Sequence, residues 1–258
     1  MRSAGKTFVA IAVVLLSVAS ARSDEPTAIT DSEKLIEASI AYHDPNGVWD
    51  SARVRFAVST VYSEEFQASH NRPPSVEVTL MLAPGHGEFH YTKKTGDDLI
   101  EMSFFSGKET VAVNGSVDVS DAEKERLSLR EPAMYRDYFE YLYLMPMKLR
   151  DAGTIIAPAA EPAEFNGRRV LSVKVTYAPD VGEHTWYFYF DPGSHALVGY
   201  SFYKDEPNDG EYITFEGEIV DEASGLRLPK ARAWYYSADD GHLATDDITS
   251  LTTLPAEE

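Results

Sequence analysis

Short turns separate the apolar segments of this chain, and their spacing constrains the fold more than any other feature. Apolar and polar residues alternate at 76–82 and 171–177, a pattern typical of strands with one apolar face. The links at 84–87 and 191–193 are short and rich in glycine and proline. Strands joined by links this short must be antiparallel. The sequence therefore predicts a mainly β (α+β) protein built on an antiparallel sheet.

Strand-like segments continue through most of the chain, with two helical interruptions. Strands are predicted at residues 54–58, 76–82, 89–91, 99–105, 110–113, 170–177, 185–191, 197–203, 211–220, 227–236 and 243–248. The pair Asn114-Gly115 favours a hairpin whose return strand includes residues 117–119, because both residues tolerate positive φ. One helix is predicted from Asp31 or Ser32 to His43. The other spans residues 132–151 and is kinked or ended by the proline at 146.

Charge and cysteine content exclude several classes of function. Lys plus Arg number 23 against 42 for Asp plus Glu, so the formal net charge is −19. A surface this acidic repels phosphate backbones and anionic membranes, so we expect no nucleic-acid partner. The absence of cysteine excludes disulfides, thiolate zinc sites, iron–sulfur clusters and a cysteine nucleophile. It also excludes lipid attachment through cysteine.

The N-terminus predicts export. Arg2 and Lys6 precede an apolar run at residues 8–16, and Ala19 and Ala21 place small residues where a signal peptidase cleaves. The run is too short to span a bilayer, so we expect a signal peptide at residues 1–21 and no transmembrane anchor; an uncleaved anchor is the alternative. No repeat or long linker divides the remainder. We therefore predict one β domain at residues 22–258, located in a periplasm or secreted.

Aromatic residues gather in a few strands. Residues 186–190, 197–203 and 234–236 lack a clearly polar face, and the chain has 12 Phe, 3 Trp and 15 Tyr. One face of these strands is expected to pack on a helix. The other could line a cleft in which rings are covered and tyrosine hydroxyls stay wet. The alternative is a thick core with tyrosines covering exposed strands.

Three segments carry a family resemblance. Residues 42–49, 144–149 and the run from Gly182 through 185–188 to Tyr200 resemble an uncharacterised family of exported bacterial proteins related to the periplasmic lipoprotein carriers of the LolA/LolB type. The resemblance covers residues 35–248. It implies a single strongly curved antiparallel sheet, a half-open barrel with two covering helices, whose concave face holds acyl chains in the carriers. The chain departs from LolB-type proteins in having no cysteine for a lipid anchor.

The first functional hypothesis is a non-enzymatic binding protein. Its half-barrel would hold an apolar small molecule, a lipid, or the acyl chain of a lipoprotein or acylated peptide, with no cofactor and no metal. The side chains expected to line the site are Trp186, Phe188, Tyr200, Phe202, Tyr138, Phe139, Leu142 and Met145.

The second hypothesis is a metal-dependent or hydrolytic enzyme. His86, Glu88 and His90 alternate as ligands on one strand face do, although His86 lies between turn glycines, which favours a hairpin. His43 beside an aspartate is another candidate, with a helix-end contact as its alternative. The acidic pairs at 97–98, 239–240 and 246–247 are further candidates, although solubilising surface is the simpler explanation.

Two further interpretations are weaker. Residues 205–216 match an EF-hand calcium loop at only four places, and β-like segments flank them where helices belong. No serine-hydrolase elbow, phosphate-binding loop or dinucleotide fingerprint occurs. A third functional hypothesis is a scaffold whose aromatic strands contact a periplasmic protein partner.

Overall fold

The computed structural model describes residues 29–206 and 209–254. The predicted signal peptide lies outside these residues. Within them, alternating segments form thirteen strands: β1 (Arg53–Tyr62), β2 (Ser75–Ala83), β3 (Glu88–Thr95), β4 (Asp98–Phe105), β5 (Lys108–Val113), β6 (Thr154–Ile156), β7 (Glu161–Phe165), β8 (Arg168–Tyr177), β9 (Thr185–Phe190), β10 (Leu197–Tyr203), β11 (Glu211–Val220), β12 (Arg227–Tyr236) and β13 (His242–Leu254).

All of these strands belong to one antiparallel sheet. Its order is β5-β4-β3-β2-β1-β13-β12-β11-β10-β9-β8-β6, and β7 also pairs with β8. The first strand, β1, pairs with the last strand, β13, in the middle of this order. This pairing joins the two halves of the sheet. The end strands β5 and β6 do not pair with each other, and the sheet stays open. The predicted antiparallel α+β architecture is confirmed.

In the described part of the chain, four α-helices accompany the sheet: α1 (Ser32–His43), α2 (Glu64–His70), α3 (Asp121–Arg126) and α4 (Pro132–Tyr143). Asp31 caps α1, as predicted, by accepting a hydrogen bond from the backbone N–H of Lys34. Only α1 and α4 bury side chains, so these two are the covering helices expected from the sequence. The helices α2 and α3 were not predicted, because each is a short polar turn capped by a serine.

One helix shows how strongly the sheet curves. Tyr135 of α4 contacts Tyr91 of β3, whereas Tyr141 contacts Trp186 of β9, with ring centroids 5.1 and 4.9 Å apart. These strands are seven positions apart in the sheet order, which would separate them by about 34 Å if the sheet were flat. The 12-residue helix is only about 18 Å long. The sheet must therefore curl around α4, which gives the half-open barrel.

Two local predictions can be compared with the structure. The helix in segment 132–151 ends at Tyr143, before Pro146 as predicted, and a 3-10 helix, Met147–Arg150, follows that proline. The Asn114-Gly115 turn forms with φ of 52° and 81°, but residues 117–119 do not make a return strand. Local side-chain hydrogen bonds compete there: the hydroxyl of Ser116 accepts from the N–H of residue 118, and Ser120 caps α3.

Candidate binding cleft

The cross-strand register assigns the inner face of the sheet. Opposed residues such as Tyr200 and Phe188 share this face and are fully buried. One row nearer the turn between β10 and β11, the inner face is only partly covered. The side chains of this rim row are Trp186, Phe202, Glu211 and Tyr236. The core of the half-barrel is therefore filled, and its inner face meets water along this row.

Aromatic stacking holds the rim row in place. The Trp186 and Phe202 rings stack with centroids 4.4 Å apart, and Trp186 also stacks on Phe188 at 5.9 Å. Tyr141 of α4 contacts the Trp186 ring edge-on, and its hydroxyl bonds that of Tyr177. Because each ring is fixed by neighbours, the half-buried faces of Trp186 and Phe202 form a preformed apolar surface.

Tyr138 lies on the other side of this surface, on α4. Its side chain is 48% exposed. Desolvation by the surrounding protein nevertheless raises its pKa well above the ordinary value, and the nearby carboxylates of Asp246 and Glu211 raise it further. Because Tyr141 of the same helix contacts Trp186, this exposed ring lies on the helix that faces the rim row. We call the open surface bordered by Tyr138, Trp186, Phe202 and Glu211 the cleft.

An open cavity of about 450 Å³ continues from the cleft at the β10–β11 end. Phe202, Tyr236 and Ala238 supply its apolar part, and Glu211 joins it to the cleft. Its other lining residues are His184, Lys204, Asp209, Gly210 and Asp239. The volume falls in the range of about 300–1,000 Å³ that is usual for small-molecule sites.

The eight side chains predicted to line a site divide into two groups. Trp186, Phe202 and Tyr138 border the cleft. The other five are buried in the core, with exposures between 0% and 8%: Phe188, Tyr200, Phe139, Leu142 and Met145. These five contact the protein's own side chains and support the cleft from beneath. Sequence alternation assigns a residue to a face, but it does not say which row lies at the opening.

A buried polar cluster beneath the cleft was missed by the sequence analysis. Asp246 is 4% exposed on the inner face and accepts hydrogen bonds from Thr60 (2.5 Å), Tyr143 (2.8 Å) and the indole N–H of Trp234 (2.8 Å). Its cross-strand neighbour Arg232 is 1% exposed, and its guanidinium lies 4.3 Å from the centroid of the Tyr143 ring. The cluster ties β1, β12 and β13 to the end of α4.

The histidines of the enzyme hypothesis do not converge. His43 is buried, its Nε2 accepts from the N–H of Leu197, and its Nδ1 therefore donates to the carbonyl of Arg227. The Asp44 carboxylate caps a turn by accepting from the N–H groups of residues 48 and 49. Both make the helix-end contacts expected as the alternative to a dyad.

The His86–Glu88–His90 pattern also separates. His86 is in the 3-10 turn and its Nε2 lies 3.2 Å from the carbonyl oxygen of Ser51. His90 and Arg53 bond the two carboxylate oxygens of Glu88, at 3.0 and 2.8 Å. Within residues 29–206 and 209–254, no three histidine or acidic side chains group closely enough to hold a metal ion.

The remaining acidic candidates have structural contacts or point apart. Asp98 pairs with Arg126 at 2.7 Å, and Asp240 accepts from Tyr212 at 2.9 Å. Asp246 faces inward, whereas Asp247 lies on the opposite face of β13. In the EF-hand-like segment, Asp209 accepts from two backbone N–H groups and the flanking elements are strands, as expected for a coincidental match.

Several solved structures are similar to this one. A domain described as an outer membrane lipoprotein-sorting protein from Vibrio parahaemolyticus shares 12% identity, over 88% of this chain and 95% of that chain, with a TM-score of 0.47. A LolA superfamily protein from Nitrosomonas europaea shares 10% identity, over 90% and 95%, with a TM-score of 0.48. A DUF1329 family protein from Desulfovibrio piger shares 8% identity, over 87% and 93%, with a TM-score of 0.41.

None of the helices in the described part of the chain combines the length and apolar character needed to cross a bilayer. No curated protein matches the chain. The expectation of an uncharacterised family is confirmed, because the model of a family of unknown function, DUF6503, matches residues 5–250. The chain therefore belongs to the DUF6503 family.

Proposed function

We propose that this protein is an exported, non-enzymatic carrier that holds an apolar or amphipathic ligand in the cleft. The ligand class is a lipid or an acylated peptide, whose acyl chain would lie against Trp186, Phe202 and Tyr138. The observation that carries this proposal is that these inner-face aromatic rings stay accessible to water beside a cavity of about 450 Å³. Preformed apolar concavities with a few polar groups are the usual form of small-molecule sites.

The apolar area left open is large enough to matter for binding. Tyr138 is 48% exposed, so a ligand that covers the open half of its ring removes about 100 Å² from water. At about 25 cal/mol per Å² this contributes about 2.5 kcal/mol to binding. Trp186 and Phe202 add to this, and their stacked neighbours mean that little side-chain entropy is lost on binding.

Export is the second part of the proposal. It is supported by residues 1–21, in which basic residues, an apolar run and small residues follow one another as in a signal peptide. The absence of cysteine is compatible with an oxidising compartment, because no disulfide can form there. A carrier in that compartment would shield acyl chains from water between membranes or partner proteins. The ligand could then be delivered by, or to, a lipoprotein or a periplasmic partner.

The test has two steps. First, the exported protein is purified and analysed by native mass spectrometry and solvent extraction for bound ligand. Second, the protein from which the ligand has been removed is titrated with a fluorescent acyl probe. We expect saturable binding that Phe202→Asp and Tyr138→Asp weaken at least tenfold, because each places a charge against the acyl chain.

The matched control is Tyr235→Asp, which changes a half-buried tyrosine on the opposite face of β12. Thermal unfolding of all three variants verifies that they fold. The proposal is overturned if the emptied protein binds no acyl probe, or if Tyr235→Asp weakens binding as much as the two cleft variants do.

A further inference from the structure

A lysine stands among apolar residues on the inner face, in the other half of the sheet from Glu211. Lys93 of β3 pairs with Val78 of β2 and Ile100 of β4, both of which are buried. Its side chain is half-buried, whereas the next residue, Lys94, faces outward and is exposed. An inward-facing cation in an apolar row costs desolvation energy, and an unpaired one is unusual.

A second cation lies beside it. Arg72 follows α2 and is exposed; desolvation, and to a lesser extent the charge of Arg72, lowers the pKa of Lys93. The same guanidinium is close enough to act on the hydroxyls of Tyr62 and Tyr135. We call Lys93, Arg72, Tyr62 and Tyr135 the basic corner.

The basic corner adjoins the cleft. Tyr135 is on α4, one turn before Tyr138, and its ring contacts Tyr91, which shares the inner face of β3 with Lys93. An extended ligand lying along α4 from the aromatic rim would therefore reach the two cations.

Among the described residues, no carboxylate forms an ion pair with Lys93 or Arg72, although the charge of Asp246 acts on Tyr62. Lys93 differs from the exposed lysines because its half-buried side chain lies among apolar residues of the inner face. The inner-face carboxylates of β4, β5 and β13 are engaged elsewhere: Asp98 accepts from Arg126, Glu109 from the N–H of Ala133, and Asp246 from Thr60, Tyr143 and Trp234. No hydrogen bond or ion pair joins Lys93 or Arg72 to any of them.

We infer that the ligand carries an anionic head group, a carboxylate or a phosphate on an acyl chain, which pairs with Lys93 and Arg72 while the chain lies in the cleft. This inference rests on the proposed function and adds the charge of the ligand to it. Both groups accept charge-assisted hydrogen bonds from ammonium and guanidinium donors. The overall charge of −19 does not prevent this, because distant surface charges are screened beyond about 8 Å at physiological ionic strength.

The experiment compares ligands that share one chain and differ in the head group. Oleate is measured against oleyl alcohol, and lysophosphatidylglycerol against lysophosphatidylcholine, by calorimetry on the full mature chain, with inorganic phosphate alone as a further arm. We expect each anionic amphiphile to bind about tenfold more tightly than its partner, with a preference that falls as salt is raised. The oleate and lysophosphatidylglycerol arms tell a carboxylate from a phosphate head group.

Lys93→Met and Arg72→Gln should each reduce this preference, whereas Lys94→Met should retain it. Methionine fits the half-buried site, and Arg72 is exposed, so both variants are expected to fold. Equal affinity for charged and neutral partners, or a preference that survives Lys93→Met, overturns the inference and leaves the carrier proposal standing. Tight binding of inorganic phosphate alone also overturns it, since the site would then take a free anion. Failure of every amphiphile to bind overturns the proposed function instead.

Discussion

Removal of the Asp246 carboxylate should destabilise the protein more than almost any other polar substitution. The carboxylate accepts three hydrogen bonds from side chains of β1, β12 and α4, and it lies beside the buried guanidinium of Arg232. Asp246→Ala leaves the Thr60, Tyr143 and Trp234 donors without their acceptor. It also removes the negative charge that acts on Arg232. The guanidinium of Arg232 is fully buried and desolvation lowers its pKa, so its positive charge becomes still less favourable without Asp246.

The magnitude follows from these losses. A hydrogen bond to a charged group contributes about 1.5–3 kcal/mol, and the three at Asp246 are coupled and do not add. Losing the negative charge that acts on the buried Arg232 guanidinium adds to this cost. We expect Asp246→Ala to lower the free energy of unfolding by about 3–5 kcal/mol, which corresponds to a fall in Tm of about 10 °C for a chain of this size. Asp246→Asn keeps one acceptor oxygen and should lose about half as much.

The assay is urea unfolding followed by tryptophan fluorescence, with Asp247→Ala as the matched control. Asp247 is the next residue on β13 and lies on the outer face, so its removal should change stability by less than about 0.5 kcal/mol. The apolar double variant Arg232→Met with Asp246→Leu should recover part of the loss, because neither charge then needs compensation. A loss below about 1 kcal/mol for Asp246→Ala, or one equal to that of Asp247→Ala, would refute this reasoning.

Three further predictions concern other parts of the fold. Desolvation lowers the pKa of His43, so the folded state binds a proton at His43 less readily than the unfolded state does. The free energy of unfolding should therefore fall by up to about 1.4 kcal/mol per pH unit below about pH 6.5. A pH series of urea titrations measures this fall, and His43→Gln should remove it. Gly199→Ala would place a Cβ 2.5 Å from the carbonyl oxygen of Ile213, so it should cost about 1–3 kcal/mol, whereas Gly182→Ala, with its nearest neighbour atom at 3.5 Å, should be nearly neutral in the same measurement. Desolvation raises the pKa of Tyr177 to about 12. The stability that the protonated Tyr177 hydroxyl contributes is therefore present below about pH 10 and lost as the pH rises towards 12. Phenolate absorbance should show a titration step near pH 12, and Tyr177→Phe should remove that step.

The strands were predictable because their signal is local. Residues 171–177 alternate between apolar and polar side chains, and this alternation holds in β8 with Leu171, Val173 and Val175 buried on one face. The same is true of α1, whose cap at Asp31 and buried Leu35 and Ile36 could be assigned from spacing. The return strand after Asn114-Gly115 was wrong because a strong turn signal does not ensure that the next segment finds a partner strand.

The candidate site could be predicted only in part, because it depends on long-range pairing. Trp186, Phe202 and Tyr138 were named from composition, but so were five residues that the structure places in the core. Asp246 and Lys93 were not singled out for the inner face. The position of Asp246 depends on the pairing of β13 with β1, which lies far away in the chain. Lys93 follows Phe89 and Tyr91 on the same face of β3, but a lysine is not expected among apolar residues.

The sequence alone determined the elements that depend on local interactions. Period-2 alternation forms the strands, short turns make neighbouring strands antiparallel, and capping residues begin the helices. Only the tertiary structure decided which row of the inner face is covered by α4 and which stays open at the rim. The physical reason is that curvature and register are set by contacts between residues far apart in the chain, and a shift by one residue would turn every inner side chain outward.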